Sequence, residues 1–297
     1  MKKRSIALLL CLWFMLAAAV PAAADGEIPA GEARAVIGAN LTDEQISQVY
    51  GIFGIGRGSV KELTVTNAEE REYLEGMVDS SIIGTNSISC IYVEILPAGE
   101  GLQIRTENLT WCTEEMFINA LVTAGIDDAK IIVAAPFRVS GTAALTGIYK
   151  AYEDISGQQL DEIAKVVSTQ ELVITGELAD EIGSYDAVTI VNEIKLILDE
   201  TRKMSDEEIK AEIVSIAAEY DIVLKDSQLD QLVTLCRALE KMNSDELREK
   251  VEYVQNTIKR LSEAQEKVSG IAQTVKNIVG SISEFIDKIV SFFTGSK

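Results

Sequence analysis

Leu247, Val251, Val254, Ile258, Leu261, Gln265, Val268, Ala272, Val275, Val279, Ile282, Ile286, Ile289 and Phe293 recur in alternating steps of four and three, and only Gln265 among them is polar. That spacing puts them on one face of a helix. A helix covering these 47 residues reaches about 70 Å at 1.5 Å per residue. The helical stretches before it, at about 15 residues, span only about 23 Å each and do not cover the stripe lengthwise. Three outcomes stay open: the stripe bends back near Gly270 or Gly280 onto its own domain, it pairs with itself as a coiled coil, or its end meets an outside surface.

Charge separates this tail from the rest. The chain has 297 residues, a net charge of −20 and no histidine. Residues 270–297 carry Lys276, Lys288 and Lys297 against Glu284 and Asp287, so they are slightly positive, while 25–269 hold all the acidity. Val275, Val279, Ile282, Phe285, Ile286, Ile289 and Phe293 form a broad apolar face on this nearly neutral segment. Such a face fits a membrane surface, a partner helix or a second copy of the chain. The acidic body argues against nucleic acid as a partner, and without histidine every Ser/His, Cys/His or histidine-ligated metal site is excluded.

The amino terminus reads as an address. Lys2, Lys3 and Arg4 precede an apolar run from Ile6 to Val20, and Ala22-Ala23-Ala24 supplies small residues before Asp25. This is the pattern of a signal peptide cleaved after Ala24, and the run is short for a membrane span. Cys90, Cys112 and Cys236 remain in an exported chain. Cys90 and Cys112 are a candidate disulfide, with two free thiols the equal alternative. Cys236 lies on a helical stripe with Leu229, Leu232, Val233 and Leu239 and reads as a small buried hydrophobe.

Between these ends the periodicity changes once. Up to about residue 142, strand and helix signals alternate. Thr42 with Gln45 opens a helix through Tyr50, 59–66 reads as a strand, and Asn67 with Glu70 starts a helix across Tyr73 and Leu74. Residues 87–96 and 102–108 read as the arms of a hairpin, Thr113 caps a helix through Ala124, and Lys130–Ala135 is a short apolar strand ending at Pro136. Beyond Ala143 only helical spacing remains, over 143–156, 158–182 with a break near Thr175 and Gly176, 186–202, 205–219 and 226–241, and Ser244 marks a further start. The expected fold class is α+β or α/β: a small four-stranded sheet with helices, then an all-helical half ending in a long amphipathic helix. The domains follow as a signal peptide (1–24), an α/β domain (25–157), a helical domain (158–243) and the long helix (244–297).

Candidate chemistry is sparse. Residues 134–150 leave a buried strand, turn through Ser140-Gly141-Thr142 and enter a helix whose free amides can hold an anion beside Arg138. The competing reading is that Ser140 or Thr142 only caps that helix and Gly141 supplies the turn. The glycine-rich stretch 51–58 follows a helix and precedes a strand, the reverse of what a nucleotide loop requires. Paired acids such as Asp127-Asp128 and Asp206-Glu207-Glu208 suit solvated faces and helix starts and allow weak divalent-cation binding, but none has calcium-loop spacing. No cofactor and no metal site are expected. A hydrolase working with two carboxylates remains open, and it requires both in one cleft, one of them with a raised pKa.

Three runs carry a resemblance: GSVKELTVTNAEEREYLEG (58–76), IGTNSISCIYVEI (83–95) and the long segment from Asn108 to Gly157 that contains TWCTEEMFINALVTAGIDDAKIIVAAPFRVSGTAALTGIYK. Together they resemble the YpuA-like family of secreted bacterial proteins with a domain of unknown function. The resemblance spans roughly 36–200, with a looser match beyond, and implies an exported protein of Gram-positive bacteria. It implies no reaction and no catalytic residues. The functional expectation is an envelope-associated binding or scaffold protein, secreted or extracytoplasmic, that makes contact through residues 247–293.

Overall fold

The computed structural model describes residues 28–76, 83–251 and 254–255. The expectations placed on residues 1–24 and on Val275, Val279, Ile282, Phe285, Ile286, Ile289 and Phe293 lie outside the described residues. The first half forms a five-stranded mixed sheet, not a four-stranded one: β1 (Ala33–Gly38), β2 (Lys61–Val65), β3 (Cys90–Ile95), β4 (Leu102–Leu109) and β5 (Ala129–Val139) lie in the order β2-β1-β3-β5-β4. The additional strand is β1. Its sequence, ARAVIG, has no polar alternation because both of its faces are covered: Val36 points into one core, and Ala35 and Ile37 into the other.

The expected hairpin between 87–96 and 102–108 does not form. β3 pairs antiparallel with β1 and β5, while β4 runs parallel to β5 at the sheet edge. β4 and β5 are instead joined through the helix α3 (Glu114–Thr123), just as β1 and β2 are joined through α1 (Asp43–Phe53). Both crossovers step one strand in the same direction between parallel strands, yet α1 packs with Ala35, Ile37 and Ile132 while α3 packs with Ile131 and Val133 on the opposite face. The two are therefore of opposite hand, an uncommon arrangement. Pro136 does not end β5. It lies beyond the last β3 pair, Cys90 with Ala134, so its missing N–H removes no bond from that ladder.

Local signals explain the helix starts. The Thr42–Gln45 capping box opens α1, and Thr113 accepts from the Met116 amide to open α3. The helix α2 (Asn67–Leu74) starts one residue earlier than the sequence suggests: Thr66 is the cap and Glu69 the reciprocating acid. Among the described residues beyond Val139 every element is helical: α4 (Ala143–Ser156), α5 (Glu162–Ile182), α6 (Ser184–Leu196), α7 (Leu198–Thr201), α8 (Asp206–Glu219), α9 (Asp226–Leu239) and the helical residues 244–251 and 254–255. That last stretch is capped by Asn243, whose Oδ1 accepts from the Asp245 and Glu246 amides, and not by Ser244. No helix among the described residues is long and apolar enough to cross a membrane.

α5 runs unbroken through Thr175 and Gly176. Gly176 is there for contact: a Cβ on it would lie 2.5 Å from Trp111 Cζ2 and 2.9 Å from Met116 Cε, and Trp111 also donates from Nε1 to Asp180 at 3.1 Å. Gly176→Val overfills this seam and is expected to cost about 1–3 kcal/mol. Thermal denaturation with a red shift of tryptophan emission checks it; an unchanged midpoint contradicts the packing argument.

Two cores meet here. One lies between the sheet and α3 and α4 and includes Leu172 of α5; the other is all-helical, built around Ile190, Ile194, Ile213, Leu232, Cys236 and Leu239. Cys236 is buried in it, as its apolar stripe suggests. Cys90 and Cys112 do not pair. Cys90 belongs to the core on the α1 face of the sheet and Cys112 to the core on the other, so the sheet itself separates the two free thiols.

Candidate functional site

β1, β2, β4 and β5 all point the same way, and ligands of open α/β sheets gather outside the carboxyl ends of such strands. The Ser140-Gly141-Thr142 turn lies at that edge, between β5 and α4. Gly141 has φ +95°, and a Cβ there would press on Leu109 and Cys112 at 3.1–3.4 Å, so glycine is needed twice over. Thr142 adopts helical backbone angles and makes no side-chain cap. Its hydroxyl instead donates to Glu70 Oε1 at 2.7 Å, within hydrogen-bond reach of Ser140 Oγ at 3.3 Å.

Glu70 arrives here because α2 starts at Thr66. With Glu69 used in the capping box and held by Lys150, the next residue, about 100° further round the helix, faces inward. Glu70 is 1% exposed, and Asn67 donates to its other oxygen at 3.2 Å. Burial raises its pKa, opposed by the bonds from Thr142 and Asn67. The charge of Glu70 in turn adds to the burial that pushes the Cys112 thiol up. The carboxylate at the start of α4 thus belongs to the chain itself, 72 residues away. Arg138 lies on the exposed end of β5. Lys150 reaches Glu69 and the Thr64 carbonyl rather than Ser140.

A second group gathers where the helical stretch from 244 meets the sheet domain. A groove of about 360 Å³ is lined by Leu102, Ile118, Asp127, Asp128, Glu249 and Lys250. Lys250 Nζ lies 3.1 Å from Asp127 and 2.8 Å from Glu246, and Asp128 accepts from the Gly101 amide at 2.7 Å. Burial raises the Asp127 pKa; Lys250 opposes this, and Asp128 and Glu246 add to it. Tyr152 is raised as well, first by burial and then by Asp127. Two carboxylates in one groove, one with a raised pKa, is the arrangement a carboxylate hydrolase needs. Among the described residues no three carboxylates or thiols converge as metal ligands.

The same helical stretch holds the root of the apolar stripe. Leu247 is buried in the all-helical core and Val254 in the sheet-side core, with Val251 fully buried between them. Arg248 pairs with Asp199 at 2.8 Å. The stripe therefore begins as a clamp across the junction of the two cores.

A third polar group is entirely internal. Lys195 Nζ donates to Glu171 at 2.7 Å and to Asn119 Oδ1 at 3.0 Å, while Thr123 donates to the other Glu171 oxygen at 2.6 Å. Sequence reasoning missed all three groups of partners. The available signal was a charge on an apolar helical face: Lys195 sits among Val188, Val191, Ile194 and Leu198, and Glu171 beside Val167, Leu172 and Ile174.

A family model described as protein of unknown function (DUF1002) matches residues 37–261. The Bacillus subtilis (strain 168) protein named "Uncharacterized protein YpuA" is 35% identical over 292 residues, covering 95% of each chain. No solved structure matches.

Proposed function

The chain belongs to the DUF1002 family, and from that premise we propose an exported, envelope-associated binding or scaffold protein that makes its contact through the part of the 247–293 stripe beyond Val254, since Leu247, Val251 and Val254 are buried in the body. The observation that carries this reading is the clamp formed by Leu247, Val251 and Val254. Leu247 sits in the all-helical core and Val254 in the sheet-side core, so the body fixes the root from which the apolar stripe continues in the sequence to Phe293. The chemistry-bearing groups point the same way. Glu70 and Glu171 are buried and engaged by the chain's own side chains, which uses them for structure.

The test is co-sedimentation with vesicles containing anionic lipid, comparing residues 25–297 with 25–257, alongside light scattering for mass. The expected result is that the longer chain pellets or forms a higher oligomer and the shorter does neither. Equal behaviour of the two, with no pelleting and one mass, overturns the assignment to this segment.

A second reading rests on Asp127 and Asp128, which share the groove beside Lys250: hydrolysis of an envelope polymer with one carboxyl as acid. It requires that Asp127→Asn abolish release of soluble fragments from cell-wall polymer by the full chain.

A further inference from the structure

Helices α3, α5 and α6 come together at Lys195, and the layer next to that lysine is polar without being charged. Asn119, Thr175 and Asn192 are each 1% exposed, and Asn119 Nδ2, Thr175 Oγ1 and Asn192 Oδ1 have no hydrogen-bond partner among the described residues. Helix geometry brings these three residues into one layer beside Lys195. α5 and α6 turn back on each other at Gly183, and Glu171 of one meets Lys195 of the other. Four residues on from Glu171 is Thr175, and three residues back from Lys195 is Asn192. Both steps lead one turn toward Gly183 along the same facing surfaces. On α3, Thr123 meets Glu171, while Met116 lies against Gly176. Asn119 falls between those contacts, against the stretch of α5 that runs from Glu171 to Gly176.

The donors and acceptors define what fits. Asn119 uses Oδ1 on Lys195 and is left with N–H groups to give, which disfavours a cation. Asn192 offers a carbonyl oxygen, and Glu171 lies one turn away, which disfavours an anion. Thr175 can give or accept. A neutral group that both donates and accepts satisfies all three, and a seam in which neighbouring Gly176 has no room even for a Cβ calls for a very small one. We infer that this layer is a binding site for a single buried water molecule that accepts from Asn119 Nδ2, donates to Asn192 Oδ1 and completes its bonds with Thr175 Oγ1. About three hydrogen bonds is the usual complement of such a water. It joins the sheet domain, through α3, to both arms of the α5–α6 pair, and it explains why three uncharged polar residues occupy positions where helical spacing calls for apolar ones.

A crystal structure of the full chain at a resolution that orders internal solvent tests this directly. A solvent peak within about 2.7–3.2 Å of all three atoms is expected. Side chains rotated to pair with one another across a dry layer overturn the proposal. In solution, Thr175→Val, Asn192→Leu and the double variant form a cycle read by urea denaturation. Residues sharing one water are non-additive: the second substitution weakens folding by roughly tenfold less than it does alone, since the water has already been lost. Additive effects overturn the shared site.

Discussion

Lys195→Met is expected to destabilise the protein by about 3–5 kcal/mol, because it leaves the Glu171 carboxylate buried with no cation. Lys195 is fully buried and Glu171 is 1% exposed, so solvent cannot take over the role of the lost amine. Burial acts on both groups, raising the Glu171 pKa and lowering that of Lys195, and their mutual contact at 2.7 Å opposes it. Removing Lys195 removes that opposition and raises Glu171 further. The sign of the pH dependence follows. Between the ordinary glutamate value near 4.3 and the raised folded value, the folded variant holds a proton that the unfolded chain has released, so stability falls as pH rises through that window. The deficit of Lys195→Met should thus be largest at neutral pH and shrink as the pH approaches about 4. Lys195→Met/Glu171→Leu removes the charge problem and should recover most of the loss, since a buried pair is replaceable by apolar side chains of similar volume. Chemical denaturation from pH 4 to 8 checks all three statements. A deficit that does not change with pH, or a double variant no better than the single, contradicts them.

The elements that local spacing determines were readable. The helices beyond Ala143 follow from 3.6-residue periodicity, and capping boxes set the starts of α1 at Thr42–Gln45 and of α8 at Ser205–Glu208 as the residue types require. What escaped depends on distant contacts. β1 is a short run of small and branched residues whose strand character comes from lying between β2 and β3. The 87–96/102–108 hairpin was the nearest pairing by sequence, but β5 takes the place beside β3 because α3 returns the chain there. The Ser140–Thr142 turn was recognisable as a helix start, yet its partner Glu70 was assigned to the wrong job. A cap displaced by one residue changes which acid faces inward. Gly176 looked like a helix break because its reason, the Trp111 ring, lies in another element.

The boundary of the C-terminal segment has the same origin, and it decides where the chain can be cut. By spacing alone the stripe begins at Leu247, and 243 is the natural end for a truncation. The structure makes Leu247, Val251 and Val254 core residues, each less than 5% exposed, beside the Lys250–Asp127 and Arg248–Asp199 pairs. Burying a Leu or Val side chain contributes about 1.5–3 kcal/mol, so ending the chain at 243 should cost on the order of 5 kcal/mol. That is comparable with the whole stability of many domains. At about 2–4 °C per kcal/mol for a chain of this size, the thermal midpoint should drop by roughly 10–20 °C. A chain ending at 257 keeps all three residues and should melt close to the full-length protein. Scanning calorimetry of residues 25–243, 25–257 and 25–297 separates the cases, and a 25–243 chain as stable as the other two contradicts the clamp. The comparison also protects the functional test. Lost membrane binding in a chain cut at 243 reports a damaged fold, whereas loss in one cut at 257 reports the segment itself.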